Sequence, residues 1–189
     1  MADRQPDENA PEDLLARYVA GDMEAFTCLV RLYEARLYAF LSRYMPDVHM
    51  AEDVFQQVFT KVALHAADFD GRASFSTWLF RIARNQAVDE LRKRRIQPSR
   101  PNSAEPDFDR LSRVQTDTPL DKLARDELGV RIRQALSALP EPQREAFLLK
   151  EEADLTFDEI GRVMQCGRET AKSRFRLAVG KLRELLDMD

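Results

Sequence analysis

Apolar residues return every three or four positions from Leu14 onward: Phe26, Leu29, Val30, Leu32, Tyr33, Leu37 and Phe40, then Val54, Phe55, Val58, Phe59 and Val62. That period fits the helical turn rather than the two-residue alternation of a strand, and it predicts helices throughout residues 14–97. Breaks are expected near Pro46 and from Asp68 to Ser74. Ser74 precedes Phe75, Trp78, Leu79 and Ile82 and suits the N-cap of a long amphipathic helix. The pattern lapses between Gln97 and Asp121, where four prolines mix with Ser, Asn and Asp. Such a composition marks a linker. Helical spacing resumes with Leu123, Leu128, Val130, Ile132, Leu136 and Leu139, turns at Pro140 to Pro142, and continues through Phe147, Leu148 and Leu149. The fold expected is all-α: two small helical domains, 14–97 and 121–189, joined by a flexible linker, 98–120, and preceded by an acidic extension, 1–13.

The sharpest local pattern runs from Thr156 to Arg183. Thr156 and Glu159 stand at capping-box spacing, where each side chain can satisfy an unpaired backbone N–H of the other. Phe157, Ile160, Val163 and Met164 then give one short apolar helix face, and Gln165, Cys166 and Gly167 a tight turn. Gly167 is the residue best able to take a left-handed conformation at the end of that helix. Ala171, Phe175, Ala178, Leu182 and Leu185 form the apolar stripe of a second helix, while Arg168, Lys172 and Arg176 stack on another face beside Glu169, Thr170 and Ser173. Two short helices around a tight turn, the second basic at its start, outline a helix-turn-helix whose second helix enters the major groove.

Charge sharpens this picture. The whole chain is acidic, with net charge −4 in 189 residues, but the charge is uneven. From Arg72 to Arg95 seven basic residues (Arg72, Arg81, Arg84, Arg92, Lys93, Arg94, Arg95) face two acidic ones. From Arg162 to Glu184 the balance is again seven to two. Two basic islands in an acidic chain predict two separate anion-facing surfaces. In the first, Phe75, Trp78 and Ile82 suit a core, whereas Phe69 in the loop is the freer aromatic. Aromatic rings beside arginines are what a protein needs to hold unstacked bases, because rings stack on base faces while the cations neutralise the backbone.

Other chemistries fare worse. Cys28 and Cys166 are far apart in sequence and read as buried thiols, so neither a disulfide framework nor a cysteine metal site is indicated. Asp47, His49, Glu52 and Asp53 cluster at a helix start, but with one imidazole among them, and the dipole explains the carboxylates. A calcium loop beginning at Asp68 fails because Arg72 and Ala73 hold its fifth and sixth positions. No catalytic residue, metal ligand, cofactor or small-molecule substrate is expected. No run is apolar enough to span a membrane and the N-terminus is acidic, which suggests a cytoplasmic protein without membrane insertion. A duplex-reading repressor or activator, dimeric on a palindrome, would also carry a helix-turn-helix, but it has no need of the loop-and-aromatic platform.

Four segments together resemble a family: AEDVFQQVF (Ala51 to Phe59), ASFSTWLFRIARNQAVDELRKRR (Ala73 to Arg95), ALSALPEPQREAFLL (Ala135 to Leu149) and FDEIGRVMQCGRETAKSR (Phe157 to Arg174). In order and content they are similar to the successive signatures of bacterial RNA polymerase sigma factors of the extracytoplasmic function type. The resemblance implies that Glu52, Asp53, Gln56, Gln57 and Phe59 dock on the clamp helices of core RNA polymerase, with a further contact to its flap. It implies that Phe69, Arg72, Ser74, Arg81, Arg84, Asn85 and Arg92 bind the melted minus-10 element, a base being flipped near the loop. Arg168, Glu169, Thr170, Lys172, Ser173, Arg174 and Arg176 would read the minus-35 duplex, and an anti-sigma factor is a further partner. Many relatives carry arginines where this chain has Leu177 and Val179, so its minus-35 preference is expected to differ.

Overall fold

The structure is a computed structural model and describes residues 10–96 and 129–187. The acidic extension up to residue 9, the linker and the expected apolar positions Leu123 and Leu128 lie outside the described residues. Every regular element among those described is helical: α1 (Pro11–Val19), α2 (Met23–Tyr44), α3 (Val48–Leu64), a 3-10 turn (Ala66–Asp68), α4 (Phe75–Ile96), α5 (129–137), α6 (Glu141–Glu151), α7 (Phe157–Met164) and α8 (Arg168–Asp187).

Local chemistry sets the boundaries. Asp47 caps α3 by accepting from His49 N at 2.8 Å and Met50 N at 3.4 Å, and its other oxygen lies 3.8 Å from Arg94. The acidic cluster at that helix start is thus a capping arrangement. One break escaped the apolar pattern. The chain turns between α1 and α2 at Gly21, whose φ is +105°, and Asp22 then caps α2 by accepting from Glu24 N and Ala25 N. Gly supplies the positive φ at little cost, and an Asp directly after it is the legible cue.

In the N-terminal domain α2, α3 and α4 enclose Leu29, Leu37, Phe40, Leu41, Val54, Val58, Val62, Phe75, Leu79 and Phe80, all buried. Phe40 stacks on Tyr44 at 5.5 Å and meets Phe80 edge-on at 5.6 Å. In the C-terminal domain Leu136, Leu148, Leu149, Ile160, Val163, Ala171, Ala178 and Leu182 are buried, and Phe175 stacks on Phe147 at 6.0 Å. Cys28 is exposed on α2 and Cys166 half-buried in the α7–α8 turn, which corrects the expectation of two buried thiols. The domains are in contact: α4 packs on α7 and α2 on α6.

Candidate nucleic-acid interface

The helix-turn-helix forms as its sequence requires. Thr156 accepts from Glu159 N at 3.3 Å and Glu159 Oε2 accepts from Thr156 N at 2.9 Å, completing the capping box. The turn is built differently from expectation. Gln165, with φ 54°, takes the left-handed position, and Gly167 keeps an ordinary backbone with open space around it. Gly161 is the glycine the turn cannot replace, since a Cβ there would lie 2.7 Å from the Cys166 carbonyl oxygen. On α8, Arg168, Glu169, Thr170, Ser173 and Arg176 are exposed, while Lys172 and Arg174 are half-buried. Arg168 Nε lies 3.5 Å from Asp158 of α7.

On α4, Arg81, Asn85 and Arg92 are exposed, four and seven residues apart and so on one face. Arg72 is exposed in the preceding loop, 3.3 Å from Asp70. Phe69 is not a free ring. It is half-buried, 5.4 Å from Trp78 and 6.3 Å from Phe75, because the loop folds it onto the aromatic start of α4. Trp78 is buried, as the core reading of its spacing expects.

Two further residues expected at that surface are engaged by the C-terminal domain. Arg84 forms an ion pair with Glu145 of α6, whose side chain is only 4% exposed. Ser74 caps α4 by accepting from Thr77 N, and its hydroxyl donates to Glu159 Oε1 at 2.6 Å; Thr77 Oγ1 donates to the same oxygen at 3.0 Å. Glu159 therefore serves two helix N-termini, its own through Oε2 and that of α4 through Oε1. Burial would raise its carboxyl, but hydrogen bonds from Ser74, Thr156 and Thr77 outweigh it and hold the group down at about 2. Burial pushes Glu145 up, against the pull of Arg84. Around this seam Arg43 pairs with Glu152 at 2.7 Å, Arg36 donates to the Glu152 and Ala153 carbonyls, and Tyr44 donates to Glu141 at 3.3 Å.

The proposed docking helix α3 shows a mixed face. Asp53 and Gln56 are exposed and Glu52 is half-buried, 3.7 Å from His49. Gln57 is turned inward and accepts from Gln86 of α4, which in turn accepts from Lys61. Phe59 is buried against Phe55 and Phe26, so its place in the docking surface is corrected: it supports α3 from beneath.

Two family models match the chain. Sigma-70 region 2 matches residues 29–96 and Sigma-70 region 4 matches residues 129–182. The chain is 33% identical to the RNA polymerase sigma-H factor of Pseudomonas aeruginosa, covering 93% of this chain and 91% of that protein. The chain belongs to the sigma-70 family, as an ECF sigma factor. It is 32% identical to the ECF RNA polymerase sigma factor SigW of Bacillus subtilis, over 88% of this chain and 91% of SigW. Among solved structures it resembles CnrH in complex with the cytosolic domain of CnrY, with 26% identity, a TM-score of 0.72, and coverage of 95% of this chain and 99% of that one. This sigma factor directs promoter-specific transcription initiation together with core RNA polymerase. No helix among the described residues is long and apolar enough to cross a membrane.

Proposed function

We propose that residues 14–97 of this sigma factor bind the minus-10 element as melted non-template strand and residues 121–189 read the minus-35 element as duplex, with 98–120 linking the two. The observation that carries this reading is the exposed row Arg81, Asn85, Arg92 on α4, the helix against whose buried Phe75 and Trp78 the half-buried loop ring of Phe69 packs. Phosphates of a single strand lie along the row, and an unstacked base rests against the loop from Phe69 to Ser74, where stacking offsets the few kcal/mol that unstacking costs. Arg72, Ser74 and Arg84 complete that surface. The start of α8, with Arg168, Glu169, Thr170, Lys172, Ser173, Arg174 and Arg176, enters the major groove.

Binding energy drives opening, without nucleotide hydrolysis or any catalytic residue of this chain. On α3, Glu52, Asp53 and Gln56 face the polymerase clamp helices, while the C-terminal domain meets the flap. The sigma factor RpoE from Bartonella quintana forms a complex with the anti-sigma factor NepR, and an anti-sigma factor is a partner here as well, in the cytoplasm. The test is reconstitution. The chain co-purifies with core polymerase and the complex initiates at promoters mapped after overexpression; substituting Arg81→Ala with Asn85→Ala then impairs open-complex formation on duplex templates more than on templates already melted at minus-10. Equal loss on both templates would contradict the role in opening.

A further inference from the structure

We propose that Glu169 fixes one base of the minus-35 element, accepting a hydrogen bond from the N4 amino group of a cytosine in the major groove. This rests on the assignment of α8 to duplex reading. Glu169, Ser173 and Arg176 are exposed and stand four and three residues apart, so they share one face of α8. Glu169 and Ser173 each lie two residues from the buried Ala171, and Arg176 lies two from the buried Ala178. Two residues turn a helix by about 200°. The three side chains therefore form the ridge farthest from the domain core, the part of α8 that a groove receives first. From Arg168 to Arg183 the sequence holds six cations and one acid, Glu169. Its neighbour Arg168 is directed to α7, with Nε 3.5 Å from Asp158, and no ion pair to Glu169 occurs among the described residues.

An acid in the first turn is favoured by the helix dipole, and in the free protein that accounts for Glu169. A DNA groove reverses the balance. Between phosphates a carboxylate is repelled on every sequence, and only a donor on a base edge offsets that cost. Guanine presents two acceptors in the major groove and thymine one, so both repel Glu169. Adenine offers its N6 amino group but sets the N7 acceptor beside it, whereas cytosine offers a donor alone. A carboxylate on this ridge thus selects cytosine by attraction and rejects the other bases by repulsion, and both effects widen the discrimination. A cation in its place would strengthen the hold on phosphates without choosing a base.

The test uses holoenzyme reconstituted with core polymerase and a promoter, mapped after overexpression, whose minus-35 region is randomised. Bound templates are sequenced for the wild type, Glu169→Gln and Glu169→Ala. The wild type is expected to enrich a cytosine, on one strand or the other, about tenfold over the alternatives at one position of the window. Glu169→Gln carries a donor beside its acceptor and is expected to move that position to adenine. Glu169→Ala is expected to lose the preference there and to leave the other positions as they were. A window with preferred bases but no position that depends on Glu169 overturns the inference while leaving α8 in the groove. So does a loss spread evenly over all positions, which marks a helix start merely weakened. If the wild type enriches no base anywhere in the window, α8 does not read the minus-35 duplex and the assignment beneath the inference fails.

Discussion

Glu145 on α6 and Arg84 on α4 form an ion pair across the two domains, with side chains 4% and 22% exposed. Desolvating two charges is repaid only while both are present, and removing one partner of a buried pair typically costs about 3–5 kcal/mol. Arg84→Ala therefore leaves a carboxylate that prefers water, and the domains separate. The expected readout is a larger radius of gyration for Arg84→Ala at neutral pH. The double variant Arg84→Met/Glu145→Leu, which removes both charges while keeping apolar bulk, stays as compact as the wild type.

Glu159 gives the fold an acid-labile component. Its carboxyl sits at about 2 in the folded chain, against an ordinary 4.5, so its contribution is complete above the ordinary value and is lost as pH falls toward 2. Glu145, pushed up by burial, runs the other way and is relieved as it protonates. Thermal midpoints of the wild type and Glu159→Gln, measured at pH 6 and pH 3, are expected to differ more at pH 6 than at pH 3, where the unfolded carboxyl is already protonated while the folded one still holds much of its charge. A gap that stays constant across that interval would rule out the charge of Glu159 as its source.

On α3, the helix proposed to dock on core polymerase, fold and binding separate. Phe59 is buried between Phe55 and Phe26, so Phe59→Ala opens a cavity and destabilises the N-terminal domain by about 3 kcal/mol or more. Asp53 and Gln56 are exposed on the same helix, and their alanine variants melt like the wild type while losing affinity for core polymerase. Denaturant melts paired with pull-down on core polymerase distinguish the two classes.

Gly161 stands where the helix-turn-helix leaves no room for a side chain. A Cβ there would stand 2.7 Å from a backbone oxygen that cannot rotate away, and overpacking of this kind costs about 1–3 kcal/mol. Gly161→Ala is expected to lower the melting temperature and duplex binding together, whereas Gly167→Ala, in open space and at an ordinary backbone angle, leaves both nearly unchanged.

These contrasts mark what the sequence could carry. Helical periodicity reveals α2, α3, α4 and the α7–α8 pair, because an amphipathic face repeats often enough to survive local noise. Thr156 and Glu159 reveal their own capping box, an interaction between near neighbours. The pattern missed the short turn at Gly21 and assigned the left-handed residue to Gly167 instead of Gln165, since a turn of three residues has no period to read. It placed Phe69 free in a loop that packs on Trp78. Above all it placed Arg84 and Ser74 on a basic surface but could not see their partners, which lie 61 and 85 residues away. Complementary charge has no spacing across a linker.

On α8, the helix proposed to read duplex, Leu177 is 57% exposed next to the exposed Arg176. An exposed leucine neither neutralises a phosphate nor accepts or donates to a base edge. If α8 lies in the major groove, each arginine facing a phosphate releases condensed counterions, and the slope of log affinity against log salt changes by about 0.9 per contact. Arg176→Ala is thus expected to flatten the slope of holoenzyme binding to minus-35 duplex by about 0.9 if it contacts phosphate. Leu177→Arg steepens it by a similar amount and tightens binding to unrelated duplexes as much as to cognate ones. Arg176 as a base reader would instead lose discrimination between duplexes with little change in slope, so the salt titration on two different duplexes decides which role the side chain plays.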